Sequence, residues 1–268
     1  QVNNMLRATG YNKGAVSAQT SPHPRYHFHG WAGQQITGDS KFFDRSGMGN
    51  HAVRGANLSE ANMLANAGYV STVDPAGGAT DSVLRIPNLN FDHIGGEKLI
   101  GYWLGKATPE GSGAYCIGDG WNTSNHGFGL ICPTTGRPQL YMVDAAGGDW
   151  SGIAAGVAFD GTLHSVGFVL DGQNKKFAFW IDEVPDASYG AYSNYATGGK
   201  DTKNSNTFNI GQTESAAAAV AQGIAMQTRA FHLLRLSPTD PVPSIAKMTQ
   251  VFTQLRPDPS KPILGGAF

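Results

Sequence analysis

The stretch "TLHSVGFVLDGQNKKFAFWIDEVP", residues 162–185, limits the fold of this chain more than any other part of the sequence. Apolar residues alternate with polar or small ones on both sides of "DGQNKK", which is the pattern of two antiparallel strands joined by a turn. The run "GEKLIGYWLGKA", residues 96–107, alternates as well, with Leu99 and Trp103 on one side and Ile100 on the other. Because alternate residues of a strand face opposite ways, both stretches predict strands.

Short strand-like runs separated by turn residues continue along the rest of the chain. They lie at residues 84–91, 115–120, 127–132, 138–144, 206–213 and 225–237. The 36 glycines and the charged fraction of only 15% fit many short strands and turns. The sequence lacks the regular alternation of strands with helices that predicts a parallel sheet. We therefore predict an all-β fold, an antiparallel sandwich or jelly roll.

Two segments carry helix signals. Residues 59–68 begin with a serine suited to an N-cap and stop at a glycine, which predicts a short helix. The stronger signal lies at residues 242–257, where Pro243 or Ser244 begins the helix and Pro257 ends it. The apolar residues at helical spacing there are Ile245, Met248, Val251, Phe252 and Leu255.

The ends of the chain differ from its middle. Residues 1–25 lack a regular period and contain "SPHP", so we expect an extended arm, then one sandwich domain over residues 26–256 and a tail over residues 257–268. The net charge of −1 argues against nucleic-acid and anionic-membrane partners, since both attract a surplus of Lys and Arg. No apolar run approaches the roughly 20 residues of a membrane span, and the N-terminal residues lack the order of a signal peptide.

The two cysteines, Cys116 and Cys132, lie at similar distances from the centre of a polar loop between two strand-like runs. A hairpin would place them side by side, which allows a cross-strand disulfide and would imply an oxidising compartment. The sequence favours two small buried thiols over this disulfide, and it leaves both alternatives open.

The loop "DRSGMGNHAV", residues 44–53, combines glycines with acidic, hydroxyl and amide side chains. A phosphate-binding loop would need a lysine and a following helix, and neither is present. We interpret the loop as a structural turn. Gly49 suits a tight backbone turn, Asp44 can bond to nearby backbone N–H groups, and Asn50 tolerates the left-handed region.

Three motifs, taken in their order along the chain, resemble one protein family. They are "FFDRSGMGNHAVRG" (42–55), "FDGTLHSVGFVLDGQNKKFAFWIDEVP" (159–185), and "FNIGQT" followed by "TRAFHLLRLSPTDPVPSIAKM". Together they resemble the opening, the central hairpin and the last strands of laminin-G-like domains in the concanavalin A-like lectin/glucanase superfamily. Leu163 stands where the family usually has an aromatic residue, and Asp182–Glu183 where it has Asp–Gly. The resemblance implies a jelly-roll β-sandwich of two antiparallel sheets with a short C-terminal helix.

The superfamily includes glycoside hydrolases, whose retaining members need two carboxylates about 5 Å apart. In the superfamily that this chain resembles, such enzymes usually carry the two carboxylates in the pattern "E-x-D-x-x-E". None of the five glutamates of this chain lies in that pattern. The nearest stretch is "WIDEVPD", where Asp182 and Glu183 would face opposite ways on a strand and Pro185 suggests a turn. We expect a solvated strand end there. Since no "G-x-S-x-G" elbow is present and Cys132 lies in an apolar strand, we predict no catalytic residue and no enzyme.

The sequence offers few candidate metal ligands. His27 and His29 would share one face of a strand, with His23 or His51 as a third ligand, but such residues are common on edge strands. The resemblance also allows a calcium ion at the rim of the sandwich. Candidate ligands for it are Asp39, Asp44, Asp144 and Asp149. No run of alternating acids is present, so we predict no resident metal or cofactor.

Aromatic residues next to amides in polar loops are the candidate ligand-binding residues, since aromatic faces and amide hydrogen bonds grip sugars and loops of this type also contact proteins. These are Trp121, Asn122, Asn125, His126, Trp150, Tyr189, Tyr192 and Tyr195. Aromatic residues that merely cover the ends of the sandwich are the alternative.

The function we predict is non-enzymatic binding. Laminin-G-like domains without an enzyme pattern occur in bacteriophage virions, so the resemblance favours a virion surface protein, as a capsid decoration or a tail or fibre component. Its partners would be virion structural proteins, copies of itself and host surface glycans. The alternatives are a secreted lectin or carbohydrate-binding module and, less favoured, a glycoside hydrolase with an atypical site.

Overall fold

The structure is a computed structural model. It describes residues 26–31, 41–42, 44, 49–55, 58, 70–71, 83–86, 96–109, 114–118, 127–144, 147–186, 193–194, 208–211 and 225–256. The predicted arm (1–25), the predicted tail (257–268) and the short helix predicted at residues 59–68 therefore lie outside the described residues.

Sixteen strands within the described residues form two sheets of eight, and every pairing is antiparallel. The strands are β1 (Tyr26–Trp31), β2 (Lys41–Phe42), β3 (Ala52–Arg54), β4 (Val70–Ser71), β5 (Leu84–Ile86), β6 (Lys98–Ala107), β7 (Ala114–Gly118), β8 (Gly127–Cys132), β9 (Gln139–Asp144), β10 (Gly147–Ile153), β11 (His164–Asp171), β12 (Lys176–Ile181), β13 (Val184–Pro185), β14 (Ser193–Asn194), β15 (Phe208–Ile210) and β16 (Met226–Leu236). The first sheet has the order β1-β16-β6-β11-β12-β13, with β4 beside β16 and β14 beside β12. The second sheet has the order β10-β9-β8-β7-β15-β5-β3-β2. This arrangement confirms the predicted all-β fold.

The main core lies between the two sheets. Strand β6 shows how the sequence builds it, because its alternate residues enter two different apolar clusters. Leu99 and Trp103 face the second sheet and pack with Phe168 and Phe128, whereas Ile100 faces the other way. The two-sided alternation predicted from residues 96–107 is confirmed, and the hairpin of β11 and β12 obeys the same rule.

Helix α1 (Ile245–Leu255) covers the outer face of the first sheet. Ser244 is its N-cap, since the serine hydroxyl accepts a hydrogen bond from the backbone N–H of Lys247 at 3.3 Å. The helix ends at Leu255, two residues before the proline that the sequence marked as its stop. No helix in the described part of the chain is long and apolar enough to cross a membrane.

The second apolar cluster forms where α1 meets the sheet. Four helix residues are buried there, and they are Met248, Val251, Phe252 and Leu255. The ring of Phe252 lies 5.1 Å from Trp180 and 5.6 Å from Tyr102, measured between centroids. Gly167 makes this close approach feasible, because a Cβ at that position would lie 2.6 Å from the Phe252 ring.

Within residues 44–53 the structure describes Asp44 and residues 49–53, whose backbone contacts agree with the structural turn interpreted from the sequence. The carboxylate of Asp44 accepts a hydrogen bond from the backbone N–H of Asn50 at 3.0 Å, and the Nδ1 of His51 accepts one from the N–H of Asp44 at 3.0 Å. Gly49 has a φ of 75°, as expected. Asn50 does not use the left-handed region that it tolerates, since its φ is not positive and Gly49 beside it makes the left-handed turn.

Both cysteines are buried in the main core as free thiols, which agrees with the favoured of the two alternatives. Cys132 is paired with Ala114 in the register of β7 and β8, while Cys116 occupies an irregularity of the ladder. The Sγ of Cys116 donates to the carbonyl oxygen of Leu130 at 3.0 Å. The two thiols are therefore not a directly opposed cross-strand pair.

Candidate functional site

The register of the second sheet aligns one outward position on each of its eight strands. Along this row, each residue is directly opposite the next in the ladder. The row runs Lys41, Val53, Arg85, Asn209, Gly118, Gly129, Tyr141 and Trp150. It lies on the outer face because neighbours such as Leu84 and Phe208 point into the main core.

The aromatic end of this row lies on β9 and β10. Tyr141 is half-buried and is directly opposite Trp150 in the register, so the two positions belong to the same outer face. Two residues along the ladder, half-buried Gln139 is opposite Ile153, which is 41% exposed. An aromatic ring, an amide and an aliphatic side chain thus share one accessible corner of the sheet.

The middle of the row is not accessible. Gly118 and Gly129 are buried, and Asn209 is only 1% exposed. Accessibility returns at the other end of the row, where Arg85 is half-buried and Val53 is 39% exposed. A ligand approaching this face therefore reaches either end of the row, and only the β9–β10 end carries aromatic positions.

The arginine before β9 extends the accessible corner. From Arg137 to Tyr141 the odd-numbered residues are half-buried and the even-numbered ones are buried. We name Arg137, Gln139 and Tyr141 the β9 strip. The Nε of Arg137 donates to the carbonyl oxygen of Ala154 at 2.7 Å, which fixes the guanidinium against the end of β10.

The structure places one of the eight predicted ligand-binding residues. Trp150 lies in β10 on the outer face, although its side chain is outside the described part of the structure. The other seven lie outside the described residues. They are Trp121, Asn122, Asn125, His126, Tyr189, Tyr192 and Tyr195. The sequence reasoning missed Tyr141, yet the alternation in "PQLYMVD" places it outward between buried Leu140 and the residue after it.

The carboxylates nearest to a hydrolase pattern form a tight turn. Asp182 and Glu183 connect β12 to β13 with φ values of 51° and 62°, the left-handed conformation typical of a two-residue hairpin turn. The expectation of a solvated strand end is wrong for Glu183, whose side chain is only 10% exposed. The reason is helix α1, whose C-terminal Arg256 brings a guanidinium to the turn.

Glu183 has a partner on each carboxylate oxygen. Its Oε1 accepts hydrogen bonds from the hydroxyls of Tyr102 and Ser165, each at 2.6 Å. Its Oε2 lies 2.6 Å from the Nη1 of Arg256. Burial, and next the charge of Glu183, raises the pKa of the Tyr102 phenol far above its ordinary value. The phenol thus remains a hydrogen-bond donor, and the cluster anchors the helix.

The neighbouring Asp182 holds His164. Its Oδ2 lies 2.7 Å from the Nδ1 of His164, and its Oδ1 accepts from the backbone N–H of Ser165 at 3.0 Å. On the other side of the ring, the Nε2 of His164 lies 2.9 Å from the Oγ1 of Thr162. That hydroxyl donates to Asp160 at 2.8 Å, so hydrogen bonds link Asp160, Thr162, His164 and Asp182 in one chain.

The structure leaves most of the candidate metal ligands untested, because His23 and Asp39 lie outside the described residues. The same holds for the side chains of His27, His29, Asp144 and Asp149. His27 sits at an irregularity between the paired residues of β1, and His29 is opposite His232. Asp44 holds the backbone of its own loop. Among the described residues, no group of three His, Cys, Asp or Glu side chains could hold a metal ion.

No family model matches this sequence, and no curated protein matches it. Solved structures do match. The Trypanosoma rangeli sialidase has a TM-score of 0.54 at 13% identity, over 96% of this chain and 38% of the sialidase chain. The botulinum neurotoxin serotype D binding domain has a TM-score of 0.55 at 12% identity, over 88% of this chain and 52% of that chain.

A shorter match is the CBM40 domain of Ruminococcus gnavus IT-sialidase bound to α2,3 sialyllactose. Its TM-score is 0.43 at 13% identity, over 59% of this chain and 84% of that one, which is too low to carry an argument. The first two similarities show the fold alone. They agree with a β-sandwich of two antiparallel sheets. This chain spans 38% of the sialidase chain and 52% of the neurotoxin chain.

Proposed function

We propose that this chain is a non-enzymatic module that binds glycans through the outer face of β9 and β10. The observation that carries the proposal is the pairing of Tyr141 with Trp150, beside half-buried Gln139, at the accessible end of the second sheet. Sugar rings present flat C–H faces that pack on aromatic rings, and their hydroxyls bond to amides. The corner supplies both kinds of group on a rigid ladder.

The position on two paired strands favours a binding role. A strand fixes its side chains more firmly than a loop does, so less freedom is lost when a ligand orders them. The ladder continues beyond β9, because the N–H of Ala154 donates to the carbonyl oxygen of Pro138 at 2.8 Å. Backbone pairing therefore holds the corner on both sides of the irregularity between Trp150 and Gly152.

The absence of catalytic function is part of the proposal. A retaining glycosidase needs one carboxylate free to attack and another free to donate a proton. Within the described residues, Glu183 is saturated by Tyr102, Ser165 and Arg256, and Asp182 is held by His164. Hydrolysis of a bound glycan by the purified protein would contradict this part of the proposal, and its loss in Glu183→Gln would place the reaction at the β12–β13 turn.

The setting we propose is the surface of a virion, following the laminin-G-like resemblance of the three sequence motifs. A free secreted lectin is the alternative. Quantitative mass spectrometry of purified particles from the source culture separates the two. A constant copy number per particle supports the virion setting, whereas recovery only in the particle-free medium contradicts it.

Paired variants test the glycan site. Tyr141→Ala removes the aromatic ring from the corner, and we expect glycan affinity to fall about fivefold or more, because packing on an aromatic ring contributes about 1 kcal/mol or more. Val53→Ala is the control, since it changes an exposed residue on the same face about 24 Å away at ordinary strand spacing. Equal affinities for Tyr141→Ala and the unchanged protein contradict the proposed site.

A further inference from the structure

One hydrogen bond fixes the guanidinium of Arg137, and its two Nη groups remain as hydrogen-bond donors. Its Nε donates to Ala154, and within the described part of the chain this is its only hydrogen bond. The residue is half-buried, so its terminal amino groups are presented at the surface of the corner. Anchoring through Nε leaves the two Nη groups as a forked pair of donors.

The fork lies in line with the glycan-binding residues. Arg137, Gln139 and Tyr141 occupy alternate positions of one extended segment, so neighbours in the β9 strip are about 7 Å apart. A ligand that packs on Tyr141 and bonds to Gln139 therefore reaches the Arg137 end within one or two further sugar units. The strip combines an aromatic, an amide and a cationic contact.

No described acidic residue neutralises this cation. Salt bridges in the described structure involve other arginines, such as Arg235 with Glu97 and Arg256 with Glu183. The carboxylate of Asp186 accepts hydrogen bonds from the backbone N–H groups of Ala155 and Gly156 at 2.9 Å each, and no ion pair in the described structure joins it to Arg137. The positive charge of Arg137 thus remains available to a ligand.

We infer that the β9 strip selects glycans that carry an acidic group, a carboxylate or a sulfate, and that Arg137 determines this specificity. The inference rests on the proposed glycan-binding function and adds the ligand class. A planar fork of two N–H donors matches the two oxygens of a carboxylate or sulfate, and hydrogen bonds between charged partners are about twice as strong as neutral ones. A neutral sugar gains nothing comparable from the fork.

Titration calorimetry with three matched oligosaccharides tests the inference. The probes share one backbone and differ in one unit, which is neutral, a uronate or a sulfate ester. We expect the full chain to bind at least one acidic probe about tenfold or more tightly than the neutral one. Arg137→Gln should remove this preference, so that the acidic probes bind no more tightly than the neutral one. The two acidic probes distinguish a carboxylate ligand from a sulfate ligand.

Two further variants complete the design. Arg137→Lys keeps the charge without the fork, so an intermediate preference supports bidentate recognition and remains measurable if Arg137→Gln fails to fold. Lys247→Gln on helix α1 removes a charge from the opposite sheet and should change nothing. Equal binding of neutral and acidic probes overturns the inference while the proposed function stands. Failure of all probes overturns both.

Discussion

Glu183 and Arg256 tie the end of helix α1 to the β12–β13 turn, with the guanidinium Nη1 2.6 Å from the carboxylate Oε2. The contact joins the last residue described in the chain to a turn 73 residues earlier. It closes the helix over the first sheet at the end opposite to the Ser244 cap. The Glu183 carboxylate therefore stabilises the contact between helix α1 and the first sheet.

Glu183→Gln should lower the free energy of unfolding. The amide keeps the shape of the side chain but loses the charge, so the Arg256 ion pair and one acceptor for Tyr102 and Ser165 are weakened. We expect a loss of about 1–3 kcal/mol in urea unfolding. Asp160→Asn is the control, since its side chain is 43% exposed and bonds only to residues nearby in the chain, so its loss should matter less. Unchanged stability of Glu183→Gln would show that the pair does not hold the helix.

Gly167→Ala should loosen the helix from the sheet. The added methyl group would lie 2.6 Å from Phe252, so the ring or the helix has to move. We expect destabilisation of about 1–3 kcal/mol, as for other overpacked cores. Gly156→Ala is the matched control, because its methyl group would make a milder contact, 3.1 Å from the Cγ1 of half-buried Ile181. Equal stability of the two variants contradicts the described packing.

The carboxyl of Asp160 should titrate below its ordinary range. The backbone N–H of Thr162, and then its hydroxyl, lowers the pKa of Asp160 by hydrogen bonding to the charged form. Since the folded pKa is depressed, the stabilisation is complete above the unfolded pKa and is lost as the pH falls through the folded value. Thr162→Val should raise the pKa only partly, because the backbone N–H remains. Carbon-13 NMR titration measures it, with Thr253→Val as the control.

The two thiols should be inert in the folded protein. Burial raises the pKa of Cys116 well above its ordinary value, which leaves almost no reactive thiolate. Cys132 is fully buried as well. A water-soluble aromatic disulfide reagent should therefore label neither cysteine until denaturant is added, and both afterwards. Fast labelling of either one under native conditions would contradict this packing.

Local alternation was enough to predict much of the fold. The two sides of β6, the hairpin of β11 and β12, and helix α1 follow directly from the spacing of their apolar residues. The end of the helix was predicted less well. Arg256 leaves the helix because its backbone is extended at φ −70° and ψ 116°, and its side chain turns to Glu183.

Long-range contacts explain what the sequence could not predict. Glu183 was expected to be solvated, but Tyr102 and Arg256 reach it from 81 and 73 residues away in the chain. The alternation around Tyr141 predicts that it faces outward, but Trp150 was expected in a polar loop, and only the structure shows strand β10 and its register with Tyr141. The anchoring of Arg137 to Ala154 needs the closed hairpin, so only the structure reveals it.

The central claim is that glycans bind at the corner formed by β9 and β10. The most direct test is an NMR titration of the isotopically labelled protein with an oligosaccharide chosen from a glycan array. The account predicts chemical-shift changes concentrated at Arg137, Gln139, Tyr141 and Ile153, with little change at Val53 or along α1. Binding that perturbs only residues away from this corner, or an array on which no glycan binds, would contradict it.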